Sequence, residues 1–506
     1  MSHLVIAPLL VPLLAGIALL LLGLTLSSPA RRTLSLAAVW VQLLLAIELW
    51  HLTSGGVVLV YHLGNWPPPW GIVLVADRLT SWMLVLTALL ALFALLDAFR
   101  GTDRAGCHFH PLFHWQLFGV NGAFLTGDLF NLFVFFEVLL SASYALLIHG
   151  GGTERVRAGL QFVVINLVGS TLFLFAAGTF YGLLGTLNLA DLALKIAQIP
   201  ADDQGPVRAA AFLLFTVFAL KAALAPLHLW LPPAYAATSA PVAAFFAIMT
   251  KVGAYALLRI ETLFFGDNAG PLSGLYDDWL LILGLISLVL GALGALAATA
   301  LRQQIAHLTV ASVGLVFVAF GVETRASIAA GLYYLTHSTL VTAAFFLLAD
   351  PIARNRDSLA DRLAPGPALA QAGLLGGLFV VIAILVVGLP PLSGFIGKLG
   401  ILSAALDTGD WPWIFGVILF SSLIALLALA RSGTLLFLHR RPAVMEGRDH
   451  PKPIPGYLPW PTLGLLMLAL ALTIGAGWML DAAQALAGQL CDAGDYLHAV
   501  LQVDRP

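Results

Sequence analysis

The chain has 506 residues, of which 60% are hydrophobic and only 10% charged, and its formal net charge is −2. That composition lacks the polar side chains needed to clothe a water-soluble globule, so it excludes a large soluble enzyme or a nucleic-acid binder and places the chain in the lipid bilayer. A chain surrounded by lipid must pair its backbone groups internally, which predicts an all-α polytopic fold.

Apolar runs long enough to cross a bilayer fall near 4–26, 33–53, 78–98, 111–126, 129–148, 158–184, 209–231, 239–262, 279–300, 304–320, 327–349, 370–405, 412–438 and 461–481, about fourteen transmembrane helices in all. The first run has no basic start and is followed by Arg31-Arg32, so it reads as a membrane helix rather than a cleaved signal. The seventh is interrupted at Pro226, where the ring removes a backbone donor. The twelfth is too long for one straight crossing and contains Gly388-Leu-Pro390-Pro391-Leu-Ser-Gly394, so it reads as a broken helix.

Basic residues sort the alternate loops. One set holds Arg31, Arg32, Arg100, Arg104, Arg155, Arg157, Arg302, Arg354, Arg356, Arg362, Arg440, Arg441, Arg448 and Lys452, and the other holds Lys195, Arg208, Arg259, Arg325 and Arg505. The excess marks the first set as cytoplasmic and predicts that both termini lie outside. Cys107 then falls in a cytoplasmic loop and Cys491 in an external tail, so no intrachain disulfide is expected. No Gly-rich nucleotide loop, Cys cluster or zinc-type spacing occurs, and no cofactor or metal is expected. His108, His110 and His114 beside Cys107 read as the polar end of a helix rather than a metal site.

The most informative residue is Glu137, in Asn131-Leu-Phe-Val-Phe-Phe-Glu137, because a carboxylate near the bilayer centre costs about 2.5–3.5 kcal/mol and usually marks an interior pathway with a partner. Glu137, Ser141 and Tyr144 fall at i, i+4 and i+7, predicting one polar stripe turned to the protein interior. Lys221, five residues before Pro226, is the candidate partner. Burial disfavours its ammonium form and an adjacent carboxylate favours it, so a change in their separation would load or release a proton. Lys251, with Tyr255 one turn on, and Lys398, beyond the second break, read as further stations. Tyr333, Tyr334, His337, Ser338 and Thr342 form a polar patch on the eleventh run, where a neutral histidine can accept at one nitrogen and donate at the other. His307 is a further relay candidate.

If spans 4–8 and 9–13 are two five-helix units, each carries a broken helix with its own lysine, and the odd number of crossings makes them inverted repeats. The expected organisation is then helices 1–3 over 1–110, a first repeat over 111–262, a second over 279–438, and a final helix with tail over 461–506.

Three stretches carry a family resemblance: Gly127-Asp128-Leu-Phe-Asn131-Leu-Phe-Val-Phe-Phe-Glu137, Lys221-Ala-Ala-Leu-Ala-Pro226-Leu-His228-Leu-Trp230-Leu-Pro232, and Leu389-Pro-Pro-Leu-Ser-Gly394-Phe-Ile-Gly-Lys398. They resemble the antiporter-like subunits shared by respiratory complex I, membrane-bound hydrogenases and Mrp-type (Pha, Sha) cation/proton antiporters. The resemblance matches Glu137 to the family's fifth-helix glutamate, Lys221 to its broken-helix lysine, Lys251 to the eighth-helix lysine, His337 to the eleventh-helix histidine and Lys398 to the twelfth-helix lysine. Pro232 is followed by Pro233-Ala-Tyr235 where complex I relatives usually continue with Asp-Ala-His, and the long lateral extension of the largest complex I subunit is missing, which favours the D subunit of the Mrp type. Where many relatives carry a second lysine one turn beyond the histidine, this chain has Val341-Thr342.

The resemblance implies a non-enzymatic, proton-translocating subunit of a multisubunit Na+ or K+/H+ antiporter in the bacterial inner membrane, with the other antiporter subunits, H+ and Na+ or K+, and the lipid bilayer as partners and no nucleic acid. The alternative is a proton-pumping subunit of complex I or a membrane hydrogenase, part of an oxidoreductase. A self-sufficient solute transporter and a purely scaffolding subunit are further readings, the second of which makes the buried charges dispensable.

Overall fold

The computed structural model of the chain describes residues 3–23, 25–356, 359–367, 369, 371–439 and 459–502. Of the loop charges used for orientation, Arg440, Arg441, Arg448, Lys452 and Arg505 lie outside the described residues. In chain order, α1 (His3–Leu22) and α2 (Ser28–Thr53) precede strands β1 (Leu59–His62) and β2 (Val73–Ala76) and helix α3 (Arg78–Ala98). Then come α4 (Phe109–Leu125), α5 (Leu129–Leu147), α6 (Thr153–Leu184), α7 (Leu189–Ala197) and α8 (Gln204–Ala222). Beyond a break lie α9 (Leu231–Ala237), α10 (Ala240–Phe246), α11 (Met249–Ile260), α12 (Asp277–Ala297), α13 (Leu301–Gly321) and α14 (Arg325–Arg354). The chain continues through α15 (Ala372–Val387), α16 (Ser393–Ala405), α17 (Trp411–Gly433), α18 (Trp460–Ile474), α19 (Ala476–Cys491) and α20 (Gly494–Leu501).

Among the described residues, eleven helical stretches are long and apolar enough to cross a bilayer, or twelve with the pair α18–α19, which bends by 79°. The expectation of about fourteen also counted α4, which has 17 residues, and the α15–α16 run, whose pieces have 16 and 13. The chain is not purely helical either: β1 and β2 pair antiparallel, Leu59 opposite Ala76 and His62 opposite Val73.

Two compact units divide the chain. The first takes Met1–Ala222, Ile248–Trp279 and Ala482–Pro506, and the second Ala223–Ala247 and Leu280–Asp481. In the first unit, α4 packs along α5 because glycines let the backbones approach. A Cβ on Gly119 would stand 2.6 Å from the Leu139 nitrogen, and one on Gly122 would overlap the Phe135 ring. Gly253 does the same where α11 crosses α8, since its Cβ would lie 2.8 Å from the Lys221 carbonyl carbon. In the second unit, α12 and α13 cross at Gly284 and Gly314, whose Cβ atoms would come 2.7 Å from the Val318 nitrogen and 2.5 Å from the Leu288 nitrogen. There α14 is buried from Ser327 to Ala349, the core against which α10, α13, α16 and α18 pack.

Several residues assigned to loops lie on helices, among them Arg31 and Arg32 in α2, Arg155 and Arg157 in α6, Lys195 in α7, Arg208 in α8, Arg302 in α13, and Arg325 and Arg354 in α14. Arg259 lies inside α11, buried, with its Nη1 2.6 Å from Asp77 Oδ2; its charge is answered by an acid and carries no orientation signal. Cys491 is not in an external tail but closes α19, with α20 following it. Among the described residues neither Cys107 nor Cys491 is in a disulfide.

Glycine contacts make a matched prediction. Gly119→Ala drives a methyl into the α5 backbone, and such overpacking destabilises by about 1–3 kcal/mol, whereas Gly178 has no atom within 4 Å of the added carbon. Thermal unfolding of the detergent-solubilised protein should fall clearly for Gly119→Ala and stay near native for Gly178→Ala; equal midpoints would contradict the close α4–α5 crossing.

Candidate functional site

Each unit holds its own buried cationic centre. In the first, Lys221 occupies the last turn of α8, where unpaired helix carbonyls leave a partial negative charge that favours a cation. The helix stops there because Ala223 takes a left-handed conformation (φ 58°) and Pro226 follows, as the sequence predicted for this break. The lysine is 5% exposed. Its Nζ donates to the side-chain oxygen of Asn166 at 3.2 Å and to the Asn166 carbonyl at 3.4 Å, and stands 5.9 Å from the centre of the Phe136 ring. Gly169, on the same helix as Asn166, lets α6 approach the end of α8, because a Cβ there would stand 2.5 Å from Leu220 Cδ2.

Glu137 does not contact Lys221 directly. Among the described residues no carboxylate comes within 4.0 Å of Lys221, Lys251 or Lys398. Instead the Ser170 hydroxyl lies within hydrogen-bond reach of both Glu137 and, at 3.0 Å, the Asn166 carbonyl, so its one proton is shared between the two acceptors. The order is therefore Glu137, Ser170, Asn166, Lys221, with the two middle groups at i+4 and i on α6. This corrects the expectation of a directly adjacent Glu–Lys pair: side chains of α6 link the two. The stripe on α5 is corrected as well, since Glu137 and Tyr144 are half-buried and Ser141 is exposed. Tyr144 packs edge-on against Phe162, 5.4 Å between ring centres. Lys251 is 1% exposed on α11, its Nζ 3.3 Å from Thr250 Oγ1.

The second centre gathers His337, Lys398 and the second break. Helix α15 ends as Gly388 turns left-handed (φ 78°), with Pro390 and Pro391 before α16. Lys398 reaches back from α16 to donate to the freed Val387 carbonyl at 2.7 Å and to Ser422 Oγ at 2.9 Å. His337 Nδ1 is 2.8 Å from Ser393 Oγ, and a Cβ on Gly394 would stand 2.9 Å from its other nitrogen. Tyr334, 5.6 Å from the His337 ring, lines with His337, Ser338, Thr342 and Lys398 a cavity of about 40 Å³, room for one or a few waters. Tyr333 points elsewhere, donating to the Leu472 carbonyl at 3.0 Å. His307 packs on Gly294, has no hydrogen-bond partner for its Nδ1 among the described residues, and is not among the residues lining the cavity.

Sequence reasoning missed Asn166, Ser170, Ser393 and Ser422. The signal was present for the first two, a polar pair at i and i+4 in the otherwise apolar 158–184 run. Chemically, both centres do one thing: they hold a lysine ammonium against neutral oxygens rather than carboxylates. Neutral acceptors solvate the charge without fixing it, which suits a group that gains and loses a proton.

The chain was compared with known families, curated proteins and solved structures. A family described as "NADH:quinone oxidoreductase/Mrp antiporter, TM" matches residues 126–425. The chain is 40% identical to a probable K(+)/H(+) antiporter D subunit of Rhizobium meliloti, over 86% of this chain and 87% of that one. It is 35% identical to the Na(+)/H(+) antiporter D subunit of Alkalihalophilus pseudofirmus, over 99% and 100%. Its fold superposes with a TM-score of 0.88 on a chain in the structure of the Mrp complex from Dietzia sp., at 30% identity over 99% of this chain and 100% of that one. The relatives are transporter subunits rather than catalytic enzymes, and the chain belongs to the NADH:quinone oxidoreductase/Mrp antiporter transmembrane family, in the branch formed by the D subunits of Mrp-type antiporters.

Proposed function

We propose that this chain is the proton-translocating subunit of a multisubunit monovalent cation/proton antiporter, exchanging cytoplasmic Na+ or K+ for external protons in the bacterial inner membrane. The proton passes along Lys221, Lys251, His337 and Lys398. Glu137 does not carry it; it adjusts how firmly Lys221 holds it, acting through Ser170 and Asn166. The breaks at Pro226 and at Pro390-Pro391 supply freed carbonyls and local flexibility. The repeats over 111–262 and 279–438 are inverted, each giving one lysine at a break, and both termini lie outside. The other antiporter subunits are obligatory partners.

The observation that carries this reading is the setting of Lys221: a deeply buried ammonium at a helix end, held by Asn166 and tied through Ser170 to an acid that does not touch it. A scaffolding role gives no reason to keep such a costly group at that depth.

Inverted vesicles bearing the complete set of subunits test it through cation-dependent proton movement. Glu137→Gln and Lys221→Ala should each lower the rate by about tenfold or more, a barrier change of at least ~1.4 kcal/mol, with the complex assembled in normal amount. Native rates in both would sink the mechanism, and transport by this chain alone would sink the multisubunit claim. Asn166→Leu, which keeps the number and branching of side-chain heavy atoms but removes the acceptor, should impair transport nearly as much as Lys221→Ala; a native rate would show that the lysine needs no side-chain acceptor from α6.

A further inference from the structure

Leading away from Lys251, the first unit carries a run of polar side chains that the route above leaves unused. Lys251, Tyr255 and Arg259 recur at i, i+4 and i+8 on α11, so they stack on one face, about 6 Å apart along the axis. The Tyr255 hydroxyl donates to the Phe124 carbonyl at 2.6 Å and lies 3.4 Å from Thr80 Oγ1, which donates to the same carbonyl at 3.0 Å. Thr80 in turn binds Asp77, the N-cap of α3, its backbone nitrogen 2.9 Å from Asp77 Oδ1. Asp77 is 2% exposed and clamped by Arg259, 2.6 and 2.9 Å from its two oxygens.

The far end of this run is covered. The Arg259 guanidinium lies 5.5 Å from the Tyr255 ring centre and 5.4 Å from that of Tyr496, which comes from α20 and is buried. The α19–α20 segment is pinned over the same end, since Arg78 donates to the Ala485 carbonyl at 2.6 Å and Gln489 donates to the Gly56 carbonyl at 2.9 Å. The groups facing Asp77 are thus Arg259, Tyr255 and Tyr496. Burial raises its carboxyl, but the charge and hydrogen bonds of Arg259 together with Thr80 outweigh that and hold it below the usual carboxylate range.

We propose that Tyr255, Thr80 and Asp77 form the arm by which Lys251 exchanges protons with the membrane face at which α3 begins, with Arg259 positioning Asp77 and Tyr496 closing the arm. The inference rests on the proton-translocating reading. Each step balances: the Lys251 ammonium gives up one proton, the Tyr255 and Thr80 hydroxyls each accept one and pass one on, Thr80 reaching Asp77 through its side chain as well as its backbone, and the Asp77 carboxylate takes the proton up and hands it to water at that face, returning to its ion pair with Arg259. The two hydroxyls share one carbonyl acceptor, so rotating either of them toward the other completes the line without breaking the fold. Arg259 keeps a fixed positive charge beside the path, an electrostatic barrier to alkali cations that a hopping proton bypasses.

The test uses the complete complex in vesicles, with assembly checked by the yield of purified complex. Tyr255→Phe and Thr80→Val each remove one hydroxyl with little change of shape, and either way the Phe124 carbonyl keeps the other donor. Both should slow proton movement about tenfold, while Thr80→Ser, which keeps the hydroxyl, restores a near-native rate. Native rates in Tyr255→Phe and Thr80→Val beside a defective Lys221→Ala would overturn the arm and leave the main route standing. Native rates in all three would overturn the reading beneath it, and a Thr80→Ser as slow as Thr80→Val would assign Thr80 to packing.

Discussion

An ammonium at membrane depth has to be solvated by protein, and the answer to that constraint shapes both halves of this chain. At Lys221 and Lys398 it is the same: a helix is broken next to the lysine, and neutral oxygens take the place of water. Around Lys221 they belong to Asn166 on a neighbouring helix; around Lys398 they are the last carbonyl of α15 and the Ser422 hydroxyl. A direct carboxylate would have neutralised each lysine more completely, and would have locked its proton in place. Where the chain does bury a tight ion pair, Asp77 with Arg259, the cation is one that does not release its proton.

Glycine is the structural counterpart of this chemistry. The lysines and their acceptors meet only where helices cross closely, and Gly169, Gly253, Gly388 and Gly394 each stand where a side chain would collide with a lysine, its helix end or His337. At Gly388 the positive φ also ends α15 at the residue whose carbonyl Lys398 captures. Packing and proton handling therefore draw on the same residues.

Much of this was legible in the sequence. Charges inside apolar runs identified Glu137, Lys221, Lys251 and Lys398, and prolines located both breaks, because these residue types are expensive in lipid or in a helix interior wherever they occur. What stayed hidden depends on how helices are rotated against one another. Helical spacing placed Glu137, Ser141 and Tyr144 on one face of α5 but not the direction of that face, so Ser141 was expected inside and stands exposed. It also could not show that Glu137 and Lys221 are linked through side chains of α6. Asn166 and Ser170 were visible as polar residues, but in an apolar helix such residues serve packing as often as chemistry. Arg259 was misassigned because a charge-sign rule treats any arginine near a span end as a loop residue, while its partner Asp77 lies 182 residues away. The part of α19–α20 beyond residue 481 follows the last apolar run recognised in the sequence and was read as a tail.

The central claim is that Glu137 speaks to Lys221 through Ser170 and Asn166, and a double-mutant cycle on transport rate tests it most directly. Glu137→Gln, Ser170→Ala and the double variant are compared in assembled complex. If the acid acts through the serine, the double variant is no slower than the slower single one, because either change cuts the same connection. Independent, multiplicative losses would mean that Glu137 reaches Lys221 by another path, and the bridged arrangement would be wrong.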